Sequence, residues 1–108
     1  MINEISAKEF AIKIQSQKPQ KDEMVIVDVR EPEEWHDYHL EGSKLMPLGS
    51  LHRQIHALNK QQKIYVICAH GVRSFYAAQY LVQQGFSDVV NVEGGIQRVR
   101  LYLEEFEK

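Results

Sequence analysis

The sequence predicts an α/β fold, a mostly parallel sheet of about five strands with helices on both faces. Short β-branched runs alternate along the chain with segments of helical period, the pattern of strand–helix–strand units. Two of those runs are nearly all apolar, as strands covered on both faces must be. No internal repeat, low-complexity tract or Pro/Gly/Ser-rich linker interrupts the 108 residues, so residues 1–108 read as a single domain.

The elements follow in order. Ile2 to Ile5 reads as a short first strand. Ser6-Ala7-Lys8-Glu9 has the spacing of a capping box, in which serine and glutamate answer the unpaired N–H groups of a helix start. Phe10, Ala11 and Ile14 then recur at helical intervals. Met24 to Val29 makes a second strand. Pro32 suits the first position of the next helix, where its missing N–H costs nothing, and Glu33 and Glu34 meet the positive end of the helix dipole. Trp35 and Leu40 are expected to face the core. A short strand around Lys44-Leu45-Met46 and a buried one at Ile64 to Ile67 come next. Ser74 to Gln84 carries Ala77, Tyr80 and Leu81 on one helix face and ends at Gly85, which can adopt a left-handed C-terminal turn. Tyr76, Tyr80 and Phe86 read as core or groove-lining aromatics. Asp88 to Val92 is the last strand and Gly94-Gly95 a turn before the final helix. That helix carries Ile96, Val99, Leu103 and Phe106 as an apolar stripe and closes in a solvated end, Glu104 to Lys108.

Composition narrows the function. At 44% hydrophobic and 26% charged residues the chain has ordinary globular usage, which excludes disorder, collagen-like repeats and a coiled coil. Thirteen Lys plus Arg against fifteen Asp plus Glu leave a formal charge of -2 and no basic tract, so no nucleic-acid partner is expected. The longest apolar run, Ile64 to Ala69, is far too short to cross a bilayer. The start at Met1-Ile2-Asn3-Glu4 lacks a basic region followed by an apolar stretch, and a cytoplasmic protein without membrane contact is expected. The single cysteine, Cys68, can form no intramolecular disulfide and no thiolate cluster for zinc. His52 with His56 and His36 with His39 have the spacing of one helix face, but no third ligand accompanies either pair, so neither a metal nor a cofactor is expected.

The chemistry concentrates in Ile67-Cys68-Ala69-His70-Gly71-Val72-Arg73-Ser74, a cysteine at the end of a buried strand with a short loop leading into a helix. Loop N–H groups above a helix N-terminus, with Arg73 alongside, would stabilise negative charge and make the thiolate available near neutral pH. Gly71 suits a loop that bends tightly. The competing reading makes Cys68 a small buried hydrophobe, and glycine, arginine and a helix start within six positions favour the reactive one. Since ligands of such sheets bind beyond the carboxyl ends of the strands, Arg30 and Cys68 are expected on one edge. Asp28 and Arg30 could bind substrate, though a supporting role through hydrogen bonds to loops and to each other is favoured. His70 either shuttles protons or contacts the donor, or its side chain simply points to solvent.

In these segments the chain resembles the rhodanese-like sulfurtransferase family, over almost all of its length. Asp28-Val29-Arg30-Glu31-Pro32-Glu33-Glu34-Trp35 is similar to the family's first signature, and His39-Leu40-Glu41-Gly42-Ser43 with Met46-Pro47-Leu48 to the segments that follow it. Cys68 to Ser74 matches the catalytic loop, and Gly85-Phe86 with Val92, Gly94 and Gly95 the region near the end. The tryptophan common after the Gly-Gly pair is absent, with Val99 near its place, and Tyr38 stands where a glycine usually precedes the histidine.

The resemblance implies a single rhodanese-like domain in which Cys68 accepts a sulfane sulfur from thiosulfate or a persulfide, holds it as a persulfide, and passes it to a thiol or cyanide. The N–H groups of Ala69, His70, Gly71, Val72 and Arg73 would stabilise the persulfide anion. Arg73 would also hold an anionic donor; its competing reading is a helix-start arginine paired with a surface carboxylate. Two alternatives remain. A cysteine-dependent phosphatase or arsenate reductase places five residues between cysteine and arginine, whereas Ala69-His70-Gly71-Val72 are four and suit a single sulfur atom. A partner-fed sulfur carrier would use the same chemistry at Cys68 but take its sulfur from a protein or a small persulfide.

Overall fold

The computed structural model describes residues 2–16 and 24–107; Met1 and Lys108, read above as parts of the two chain ends, lie outside the described residues. In chain order the elements are β1 (Asn3–Ile5), α1 (Ala7–Ser16), β2 (Met24–Asp28), α2 (Pro32–Asp37), β3 (Lys44–Leu45), two 3-10 turns (Leu48–Arg53 and Ile55–Ala57), β4 (Lys63–Ile67), α3 (Val72–Gln83), β5 (Asp88–Val92) and α4 (Gly95–Phe106). The five strands form one sheet in the order β1-β5-β4-β2-β3, with every pairing parallel. β4 is central, with Val66 opposite Val27 of β2 and opposite Asn91 of β5. All the carboxyl ends therefore share one edge.

Two apolar layers sandwich the sheet. On one face Val25, Val27, Ile64, Val66 and Val89 pack with Ala77, Ala78 and Leu81 of α3 and with Leu51 and Leu58. On the other, Ile26, Tyr65, Ile67, Val90 and Val92 meet Phe10 and Ala11 of α1 and Ile96 and Val99 of α4. Alternate residues of β2, β4 and β5 thus serve opposite faces, which is why these strands read as unbroken apolar runs. At α1 the serine half of the expected capping box forms: the Glu9 N–H donates to Ser6 Oγ at 3.1 Å, while the Glu9 carboxylate accepts from the Ser6 hydroxyl at 3.4 Å rather than from its backbone N–H. Glu31 and Glu34 build another at α2, where the Glu31 N–H donates to Glu34 Oε1 at 3.0 Å. Val99 fills the core near the place of the family's missing tryptophan, and Arg100 stacks its guanidinium on the Tyr38 ring, 4.2 Å from its centroid.

Several expectations are corrected. Trp35 does not enter the core: α2 buries none of its residues, and the indole stacks on His39 at 3.8 Å, while Leu40 does bury. Six residues are too few for that helix to bury a full stripe, and the imidazole covers the indole instead. Phe106 and Tyr76 are exposed, the former in the last turn of α4. α3 starts at Val72 rather than Ser74, because Gly71 takes a left-handed φ of 96° that ends the loop there.

Candidate functional site

Cys68 follows directly on β4 at the carboxyl edge and is 1% exposed. The chain is held there from three sides. On one, the Val29 N–H donates to the Ile67 carbonyl at 3.0 Å, tying the end of β2 to the end of β4. On another, the Ile96 and Gln97 N–H groups, unpaired at the start of α4, donate to the Cys68 and Ala69 carbonyls at 2.8 and 3.2 Å. Gly95 makes this approach possible, since a Cβ there would run into those same two carbonyl groups. From below, a Cβ on Gly71 would come within 3.0 Å of the Gly94 nitrogen, so the two glycine turns nest against each other.

The loop wraps the sulfur. Sγ accepts from the Gly71 N–H at 3.1 Å and from the Ser74 N–H at 3.3 Å, and lies 3.3 Å from Ser74 Oγ. Both N–H groups belong to the loop and first turn of α3, so the helix's positive end is directed at the thiol. Burial pushes the Cys68 thiol up, but the hydrogen bonds of the loop, the backbone N–H groups of Ser74, His70 and Gly71 among them, outweigh it and hold the thiol below its ordinary value. Such an arrangement can present a thiolate as nucleophile and hold charge on a sulfur bound to it.

The remaining predicted residues divide. Ala69 is buried beneath the loop, whereas the His70 and Val72 side chains are exposed at its rim. Arg73 forks onto Glu34 of α2, with contacts of 2.7 and 2.8 Å to the two carboxylate oxygens. The surface-carboxylate pairing weighed above is thus realised. The Arg73 hydrogen bond holds the Glu34 carboxyl down at about 2, against some opposing burial, while Glu34 raises Arg73. Asp28 and Arg30 share the edge with Cys68 but engage each other: Arg30 donates to both Asp28 oxygens and, at 2.6 Å, to the Tyr38 carbonyl. Among the described residues no group of three or more His, Cys, Asp or Glu side chains is placed to hold a metal ion.

Ser74, Asn91, Glu34 and Glu4 escaped the sequence reading as site residues. Ser74 donates to Asn91 Oδ1 at 2.6 Å, and Asn91 Nδ2 donates to Glu4 Oε2 at 2.9 Å and to the Gly71 carbonyl at 3.3 Å. One signal existed: Asn91 is a polar residue inside Asp88-Val89-Val90-Asn91-Val92, a strand buried on both faces.

Comparison with known proteins identifies the family. The model of the Rhodanese-like domain family matches residues 6–101. The chain is 41% identical over 83 residues to the thiosulfate sulfurtransferase GlpE of Pseudomonas fluorescens (strain Pf0-1), covering 77% of this chain and 76% of that protein. It is 38% identical over 96 residues to the Bacillus subtilis (strain 168) protein named "Putative sulfur carrier protein YrkF", covering 88% of this chain but spanning only about half, 52%, of that relative's length. The crystal structure of a rhodanese-like domain protein from Staphylococcus aureus superposes with a TM-score of 0.80 at 35% identity, over 91% of each chain. The α/β architecture with its five-stranded parallel sheet is accordingly the one these relatives share, and the chain belongs to the rhodanese-like domain family.

Proposed function

We propose that this chain is a sulfurtransferase whose nucleophile is Cys68. The carrying observation is the pair of N–H groups, from Gly71 and Ser74, that converge on Cys68 Sγ at the start of α3. In the proposed reaction the Cys68 thiolate attacks the sulfane sulfur of thiosulfate or a persulfide, the donor's sulfur–sulfur bond breaks, and sulfite or a thiolate leaves with the electron pair. Cys68 then carries a persulfide. Attack of a thiol or cyanide on its outer sulfur returns the Cys68 thiolate, and the loop N–H groups stabilise the sulfur anion at each stage. The chain has four residues between Cys68 and Arg73, a ring suited to a single sulfur and too small for a phosphoryl group.

One observation favours a donor of low charge or a protein donor over thiosulfate. Arg73, the cation of the loop, is already matched by Glu34 in a two-point pair, which leaves the thiosulfate dianion without a free partner there. This supports a partner-fed or persulfide-fed role, as the name of the YrkF relative also suggests, in a reducing compartment such as the cytoplasm where a lone thiol stays free.

The test is intact-protein mass spectrometry after brief exposure to thiosulfate or, separately, to a low-molecular-weight persulfide, followed by cyanide, with Cys68→Ser alongside. The wild type is expected to gain one sulfur atom that cyanide removes, with the faster gain from the persulfide, and the variant to gain none while keeping its fold. Gain on Cys68→Ser, or none on the wild type with either donor, would refute the proposal.

A further inference from the structure

The Ser74 hydroxyl stands between two acceptors and has one proton to give. It lies 3.3 Å from Cys68 Sγ and 2.6 Å from Asn91 Oδ1. The far side of Asn91 decides between them. Its amide meets a carboxylate oxygen of Glu4 at 2.9 Å and the Gly71 carbonyl at 3.3 Å. The Gly71 carbonyl can only accept and a Glu4 carboxylate oxygen is the acceptor beside it, so the amide presents its NH2 group to them and its carbonyl oxygen to Ser74. That oxygen can only accept in turn, so the hydroxyl's proton goes to Asn91. Its lone pair is left facing sulfur, able to receive the Cys68 S–H.

We infer that Asn91, anchored by Glu4, is a positioning residue that keeps the Ser74 proton off Cys68, so that backbone N–H groups alone carry the negative charge of the sulfur while the thiol form gains an acceptor. Ser74 is 0% and Asn91 2% exposed, so water does not compete for either group. The other titratable or charged groups at this edge are His70 and Arg73 on the loop and α3, Glu34 of α2 bound to Arg73, and the Asp28–Arg30 pair at the end of β2. Glu4 of β1 acts through the amide. Among the described residues none of these groups hydrogen-bonds the Ser74 hydroxyl, so the choice of acceptor stays with Asn91 and Cys68.

The consequence deepens the sulfur-transfer reading and takes its functional meaning from it. An over-stabilised thiolate is abundant but a poor attacker, and the best attacking thiol ionises near the ambient pH. By withholding one donor, the Asn91–Glu4 arm keeps Cys68 from sinking too far. The same arm bonds the Gly71 carbonyl, joining the loop's turn to β5.

The test is the pH dependence of iodoacetamide alkylation of the full chain, which reads the single cysteine and needs no sulfur donor. It is measured on the wild type, Ser74→Ala, Asn91→Leu and the double variant. Ser74→Ala is expected not to raise the ionisation midpoint. Asn91→Leu frees the hydroxyl to turn to the thiolate and should lower the midpoint by about one unit, roughly tenfold in rate on the acid side. That shift should vanish in the double variant. A midpoint raised by Ser74→Ala would overturn the inference, and so would an Asn91→Leu shift that survives without the hydroxyl. Should Asn91→Leu not fold, Ser74→Ala alone decides by the same criterion. Because alkylation is independent of persulfide formation, a chain that fails the mass-spectrometric test above still gives a separate answer here.

Discussion

Two arginine–carboxylate forks stand at the same edge of the sheet, Arg30 on Asp28 and Arg73 on Glu34, with shortest contacts of 2.8 and 2.7 Å. Their hydrogen bonds are nearly interchangeable and their surroundings are not. The Arg30 and Asp28 side chains are 6% and 0% exposed, whereas those of Arg73 and Glu34 are 37% and 34% exposed. For the first pair water is no substitute, so each partner is held by the cost of leaving the other charged and alone. For the second, water competes at every contact, so the pair adds little to stability and neither partner depends on the other. Equal geometry thus yields a fixed strut at the sheet edge in one case and a solvent-washed pair in the other.

The comparison breaks most visibly at Asp28. Asp28→Ala strands the Arg30 guanidinium in the interior and is expected to cost about 3–5 kcal/mol in denaturant unfolding, enough to threaten folding at moderate temperature. A loss under about 1 kcal/mol would mean that water reaches Arg30 and that the two forks are alike. The next effect concerns the thiol. Arg73→Ala removes the cation that faces the Cys68 thiolate, so the alkylation midpoint of Cys68 should rise, by under about one unit because Glu34 already balances the charge. No rise would leave Arg73 with its surface pairing alone.

The smallest effect belongs to Glu34. Glu34→Gln should cost less than about 1 kcal/mol at neutral pH. Its pH dependence has a definite sign: the folded carboxyl titrates at about 2 against an ordinary 4.5, so the pair's contribution is complete above pH 4.5 and fades as the pH falls towards 2. Thermal unfolding of wild type and variant should therefore converge in acid. A gap that widens on acidification would contradict the pairing.

Much of the fold was legible because local chemistry and tertiary need coincided. Ser6 and Glu9 capped the helix their spacing predicted, and Val27, Val66 and Val90 lie in strands buried on both faces, which is what their apolar runs required. Trp35 failed that logic. Its size and hydrophobicity suggest a core residue, yet a six-residue helix at the sheet edge offered it only His39 to stack on. At the site, Cys68 and Gly71 could be singled out because a strand end, a glycine and a helix start are local features.

The sequence by itself determined the order of strands and helices, the capping of α1 and the loop that opens α3, since each depends on residues within a few positions of one another. Only the tertiary structure decided where the long-range polar partners fall. Arg73 could pair with any of several surface carboxylates until α2 brought Glu34, 39 residues away in sequence, to it. Asn91 became the partner of Ser74, and Glu4 its anchor across 87 residues, because the strand order sets β5 between β1 and β4. Hydrogen bonds need their atoms within a few tenths of an ångström, and across such separations only the packed sheet supplies that precision.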